Sequence, residues 1–171
     1  QRVCAPGCHR DDQCGVGERC LQPGCFDCPC PGRCVPLDLV IVAIEPGTHQ
    51  LGDGPAAEGT QFQCPFQVPL DFAHAFLELD FPGGPGPNLD QPPRLFLNGR
   101  ETSSVAPFFP PLDPTAPGWQ TNPDGSHGYN RAMHVSLEVT SLLAPGSNSF
   151  QIACGRPDDD FLFTNVQLWL W

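Results

Sequence analysis

Apolar and polar residues alternate with a period of two in several stretches of this chain, and that period marks strands with one buried face. Met133, Val135, Leu137 and Val139 alternate with His134, Ser136 and Glu138. Thr140 to Leu143 then allow one helical turn, which Ala144-Pro145-Gly146 stops. Phe150, Ile152 and Cys154 resume the alternation in a second strand. Earlier, Phe62, Cys64, Phe66 and Val68 alternate with glutamines, and Pro65 removes a ladder donor there, which assigns that strand to an edge or a bulge. Ala73, Ala75, Leu77, Leu79 and Phe81 form another inward set. Leu37 to Ile44 is an apolar run of strand length, and residues 45–59 read as a polar, glycine-rich loop. Arg94 to Leu97 is a short strand closed by Asn98-Gly99, a strong hairpin signal. The last segment, FLFTNVQLWLW, reads as a final strand. Seven to nine strands with almost no helix predict an all-β chain, an antiparallel β-sandwich.

Two stretches carry a resemblance. EVTSLLAPGSNSFQI and RLFLNGRE resemble the strand-turn-strand segments of galactose-binding-like β-jelly-roll modules. The resemblance covers residues 37–171 and implies a jelly roll. It also implies a sugar-binding or accessory role on a secreted protein, with a structural calcium in many members. The ligand positions for that calcium have no match here, and Asp158-Asp159-Asp160, the one run of carboxylates that suits calcium, reads as a solvated acidic turn. No cofactor is expected.

Residues 1–36 form a separate cysteine-rich segment. Eight of the ten cysteines, Cys4, Cys8, Cys14, Cys20, Cys25, Cys28, Cys30 and Cys34, fall within it. So few apolar residues cannot form a core, so cross-links must replace one, each contributing about 2–4 kcal/mol. The eight are expected to pair among themselves, with connectivity left open. Zinc held at Cys25-x-x-Cys28-x-Cys30 is the alternative. The Cys8–Cys14–Cys20 spacing, Asp11-Asp12 and the closing Cys30–Cys34 spacing resemble the whey-acidic-protein, or four-disulfide-core, module. Its adjacent Cys-Cys pair is absent, and only Ala5-Pro6-Gly7 stand where its protease-inhibiting loop lies, which argues against a protease inhibitor. Cys64 and Cys154 both sit on inward strand phases and are expected to bond to each other.

Composition narrows the function classes. The formal charge is −11, with 19 acidic residues against 8 basic ones, all Arg. Such a surface repels phosphate backbones and anionic lipids, so neither nucleic acid nor membrane is an expected partner. The cysteine density belongs to an oxidising compartment, which predicts a secreted, extracellular or cell-surface protein. The Gln-Arg-Val start is what a mature product with its leader removed would show. No nucleophile elbow, zinc-protease motif or phosphate loop occurs, so the chain is read as a non-enzymatic interaction module. His74 and His134 lie on outward phases and are expected to be solvated.

The candidate ligand site is the long segment from Ser104 to Arg131. Trp119 and Tyr129 offer flat faces to a sugar, while Asn122, Asp124, His127 and Asn130 offer hydrogen bonds. The alternative is that the aromatic residues anchor the loop to the sandwich. The partner would be a glycan or an extracellular protein. A second reading, a self-assembling subunit of an extracellular fibre or surface layer, rests on the final strand. There Trp169 and Trp171 share one phase and Leu168 and Leu170 the other, so a second apolar face needs a cover, either the cysteine-rich segment, whose apolar content is small, or another copy of the chain in a homo-oligomer or filament.

Overall fold

The computed structural model describes residues 13–21, 33–69, 71–84, 86–109, 115, 118–121, 127–156 and 158–171. The chain divides into two compact units, Gln1–Val40 with Trp171, and Ile41–Leu170.

In the smaller unit, β1 (Glu18–Leu21) pairs antiparallel with β2 (Arg33–Pro36). Cys14 is bonded to Cys34, and Cys20 is also disulfide-bonded. Val35 is the buried apolar residue of β2, so covalent links rather than apolar area hold this hairpin. Cys4, Cys8, Cys25, Cys28 and Cys30 lie outside the described residues, as does the Ala5-Pro6-Gly7 segment.

The larger unit is an antiparallel sandwich of two four-stranded sheets, the strand number and division of a jelly roll. One sheet has the order β10 (Met133–Glu138), β5 (Ala75–Phe81), β12 (Asp160–Leu170), β3 (Val40–Gly52). The other has the order β4 (Gln61–Val68), β11 (Gly146–Ala153), β6 (Arg94–Leu97), β7 (Arg100–Glu101). Alternation sends Ala75, Leu77, Leu79 and Phe81 of β5 inward, each fully buried, beside Val135 and Leu137 of β10. Phe66, Val68, Leu95, Leu97, Phe150 and Ile152 meet them from the second sheet. Across the gap the rings of Phe62 and Phe163 lie 5.5 Å apart. Burying this apolar area is the main stabilising term.

The residues that carry the jelly-roll resemblance do structural work. Thr140 Oγ1 accepts the amide of Ala75, and the Val139 amide bonds the Ala75 carbonyl, which joins the end of β10 to the start of β5. The turn from Thr140 to Leu142 is a short 3-10 helix. Buried Asn148 donates to the carbonyls of Ala144 and Gly146 and accepts from the Ala144 amide. Asn98 sits at φ 53 and Gly99 at φ 74, the positive angles a two-residue hairpin turn requires. Its side chain donates to Asn148 Oδ1 and to the Leu142 carbonyl, which pins the β6–β7 turn to the β10–β11 turn.

Four expectations change. β3 runs on through Gly52, so residues 45–52 are strand rather than loop. It is an edge strand of its sheet, where Pro46 costs no ladder bond. The segment 104–131 holds a hairpin of its own, described below. Cys64 and Cys154 are free thiols. Cys64 lies on β4 and Cys154 directly follows β11, but Cys64 pairs with Phe150, four positions before Cys154 (154 − 150), a separation of about 13 Å that no disulfide spans. Finally, the outward face of the last strand is not open at Trp169, which is 5% exposed within the single chain, while Trp171 is half-buried. A register shift between Thr164 and Gln167, with Asn165 at φ 55, sets this phase: Phe161 and Phe163 point inward before it, and Val166, Leu168 and Leu170 after it.

Candidate functional site

The long segment is organised by β8 (Trp119–Thr121) and β9 (His127–Tyr129), an antiparallel pair. Trp119 lies opposite Tyr129 and Thr121 opposite His127, so the period of two puts all four side chains on one face. The Trp119 and His127 rings are 4.7 Å apart and tilted by 34°. Trp119, His127 and Tyr129 are half-exposed, and Asn130 is exposed at the open end, where its amide bonds the Gly118 carbonyl at 3.0 Å. Asn122 and Asp124 lie outside the described residues. The face therefore brings together three of the six predicted residues, with Asn130 at its margin.

A loop from 86 to 91 supports this hairpin. Asn88 forms a bridge with Gly128, and the Leu89 amide donates to the His127 carbonyl at 2.8 Å. The two backbones run so close that a Cβ on Gly86 would occupy the space of the Tyr129 carbonyl oxygen, which explains a glycine there. Asp90 Oδ2 accepts the His127 amide at 2.9 Å and lies 3.0 Å from His127 Nδ1. An ionised carboxylate only accepts, so Nδ1 carries the proton in that contact and the ring is held in one orientation beside Trp119.

The loop is itself held from behind. Asn88 is 3% exposed, and its Oδ1 accepts the amides of Asp90 and Gln91 at 2.8 and 3.0 Å. Its own amide donates to Asp159 Oδ1 at 3.1 Å. Asp159 is 6% exposed and takes a second amide from Asp160 at 3.0 Å. Burial drives its carboxyl up; the Asn88 and Asp160 amides oppose this, the charges of Asp160 and Asp158 add to it, and the result is about 6. The expected solvated acidic turn is thus corrected. Asp158 pairs with Arg156 at 2.6 Å, Asp160 accepts from Gln50 Nε2 at 2.8 Å, and Asp159 is buried. No three acidic, histidine or cysteine side chains converge for a metal among the described residues.

Asn88 and Asp90 were not singled out by sequence reasoning, and Asp159 was read only as part of a solvated acidic turn. A signal existed for the first two: with Gln91 they are the polar side chains in the otherwise Pro-, Gly- and Leu-built stretch PGGPGPNLDQPP.

A second polar cluster covers the outward face of β5, β10 and β12. His134 Nδ1 lies 2.7 Å from Asp80 and Nε2 lies 2.6 Å from Glu78, which is fully buried. Ser136 donates to Glu78 at 2.6 Å and Asn165 to Asp80 at 3.0 Å. Burial opposes charge on His134, but the bonds and charges of Asp80 and Glu78 override it and raise the ring to about 9. Burial likewise acts against the Asp80 charge, and the bonds from His134 and Asn165 outweigh it, leaving Asp80 below the usual carboxylate range. His134 is thus exposed on its outward phase, as expected, but it is also held on both ring nitrogens by carboxylates that sequence reasoning missed. His74 is exposed, as expected.

The two thiols are poor nucleophiles. Burial and then Glu45 raise Cys64, and burial and then Asp159 push Cys154 to about 12. A shallow cleft of about 310 Å³ near Pro92, Arg94, Glu101 and Gly155 contains none of the predicted site residues, and Arg94 is paired there with Glu101 at 2.6 Å.

Comparison with protein-family models finds no match. Comparison with curated proteins finds none either. Among solved structures, a chain described as "putative beta-galactosidase from bacteroides fragilis" matches with 12% identity and a TM-score of 0.35. The match covers 74% of this chain, which spans 23% of the length of that one.

Proposed function

We propose that this chain is a secreted, non-enzymatic binding module that takes neutral glycans on the face of the β8–β9 hairpin. One observation carries the reading: Trp119, His127 and Tyr129 share a half-exposed face, with His127 fixed by Asp90 beside the Trp119 ring. Sugar recognition combines a flat apolar surface for the ring C–H groups with a few oriented polar groups for the hydroxyls. A preset ring orientation lowers the ordering cost of binding. The −11 charge and the carboxylates of Asp90 and Asp158 to Asp160 disfavour sulfated, sialylated or uronic-acid glycans, so the ligand class is neutral. The disulfide-bonded N-terminal unit supports the extracellular assignment, and no helix among the described residues is long and apolar enough to cross a membrane.

A glycan array tests this. The expected result is binding to neutral oligosaccharides, lost in Trp119→Ala. Binding that survives Trp119→Ala, or that is confined to acidic glycans, overturns the assignment.

A further inference from the structure

The hairpin that carries the aromatic face is two short strands of three residues each, too little to hold its own geometry in water. Its order must come from what it rests on. Three polar side chains connect in sequence beneath it. Asp159, on the turn before β12, accepts the Asn88 amide; Asn88 caps the amides of Asp90 and Gln91; Asp90 grips the amide and ring of His127. The first two side chains are buried, although neither contributes apolar packing. A buried carboxylate is costly unless it satisfies donors, and Asp159 satisfies two backbone amides that the passing loops would otherwise leave unbonded.

We infer that Asp159, Asn88 and Asp90 form a positioning relay that fixes the Trp119–His127–Tyr129 face from the core of the sandwich. None of the three need touch ligand; they act through the hairpin they hold. The relay rests on the proposed binding role only for its consequence, since the ordering of the hairpin can be read without any ligand. Its links differ in depth, and this gives an ordered signature. Cutting at Asp90 frees the His127 amide but leaves the Asn88 amide on Asp159. Cutting at Asp159 frees the loop, and with it everything the loop carries.

Amide hydrogen exchange by NMR tests the order. In Asp159→Ala, protection at Asn88, Leu89 and His127 is expected to fall together by about tenfold or more. In Asp90→Ala only His127 is expected to fall. In Asp159→Asn, which keeps a carbonyl acceptor, all three are expected to stay within about threefold of the parent chain. Should Asp159→Ala fail to fold, Asn88→Ala breaks the middle link and is expected to expose the His127 amide. Unchanged protection of His127 in Asp159→Ala, or in Asn88→Ala if it replaces it, overturns the relay. Affinity for a panel of neutral hexose oligosaccharides is measured on the same proteins. If exchange follows the order and no oligosaccharide binds the parent chain, the relay stands and the binding role falls. If an oligosaccharide binds and the order is absent, the relay falls and the binding role stands.

Discussion

Asp159→Asn removes a titrating group from beneath the hairpin, and its effect on stability follows from burial. The Asp159 carboxyl moves from an ordinary 3.8 to about 6 in the folded chain, because burial outweighs its two amide donors. The folded state therefore binds this proton more tightly than the unfolded state. Between pH 3.8 and about 6 the folded chain takes up a proton that the unfolded chain lacks, so this contribution to stability is lost as pH rises through the window. A shift of about two units amounts to about 3 kcal/mol. With the side chain almost wholly buried, solvent screening removes little of it. Asparagine keeps an acceptor for the Asn88 amide but buries an amide group, at a pH-independent cost of about 1–3 kcal/mol. The stability of the variant relative to the parent is thus expected to improve by about 3 kcal/mol between pH 4 and pH 7.5. Urea denaturation of both proteins across that range, with disulfides intact, measures the difference, and a carboxyl-carbon NMR titration gives the site value directly. A stability difference independent of pH, or an Asp159 titration near 3.8, would refute the reasoning.

His134 has the opposite sign: its folded value of about 9 stands above 6.5, so its contribution is complete below pH 6.5 and is lost as pH rises through about 9. Its side chain is 37% exposed, which discounts the effect to on the order of 1–2 kcal/mol, and His134→Gln is expected to lack that alkaline loss in thermal melts. Gly86→Ala must push the Tyr129 backbone away and is expected to cost about 2 kcal/mol or more in urea denaturation, with loss of protection at Leu89. Alkylation of the unfolded, unreduced chain is expected to label Cys64 and Cys154 and to spare Cys14, Cys20 and Cys34; a peptide linking Cys64 to Cys154 would contradict the strand register.

Local patterns carried the fold. The alternation in β10, β11 and β5 gave both the strands and their buried faces, because one face must leave water. Asn98-Gly99 and the Thr140 to Gly146 turn were legible because few residue types accept those backbone angles. Pairing across the sheet was not legible in the same way. Cys64 and Cys154 were read as inward, but phase tells which face a residue occupies, not where along the strand it sits. His134 was read correctly as outward and exposed, but its partners were missed for a related reason: an outward phase does not tell which side chains of the neighbouring strand line it, here Glu78 and Asp80 of β5. At the candidate site the aromatic residues stood out by type. Their support did not, since Asn88 and Asp159 meet across 71 positions of sequence through a single backbone amide.

The role proposed for the face built by Trp119, His127 and Tyr129 is to take a neutral glycan. An NMR titration of the intact chain with a neutral hexose oligosaccharide, following the Trp119 indole N–H and the Tyr129 and His127 ring signals, tests it most directly. Saturable shifts are expected at these three residues and at the Asn130 amide, abolished in Trp119→Ala, with the Trp169 indole unmoved. Saturable shifts that bypass the hairpin, or no shifts across a panel of such oligosaccharides, would contradict it.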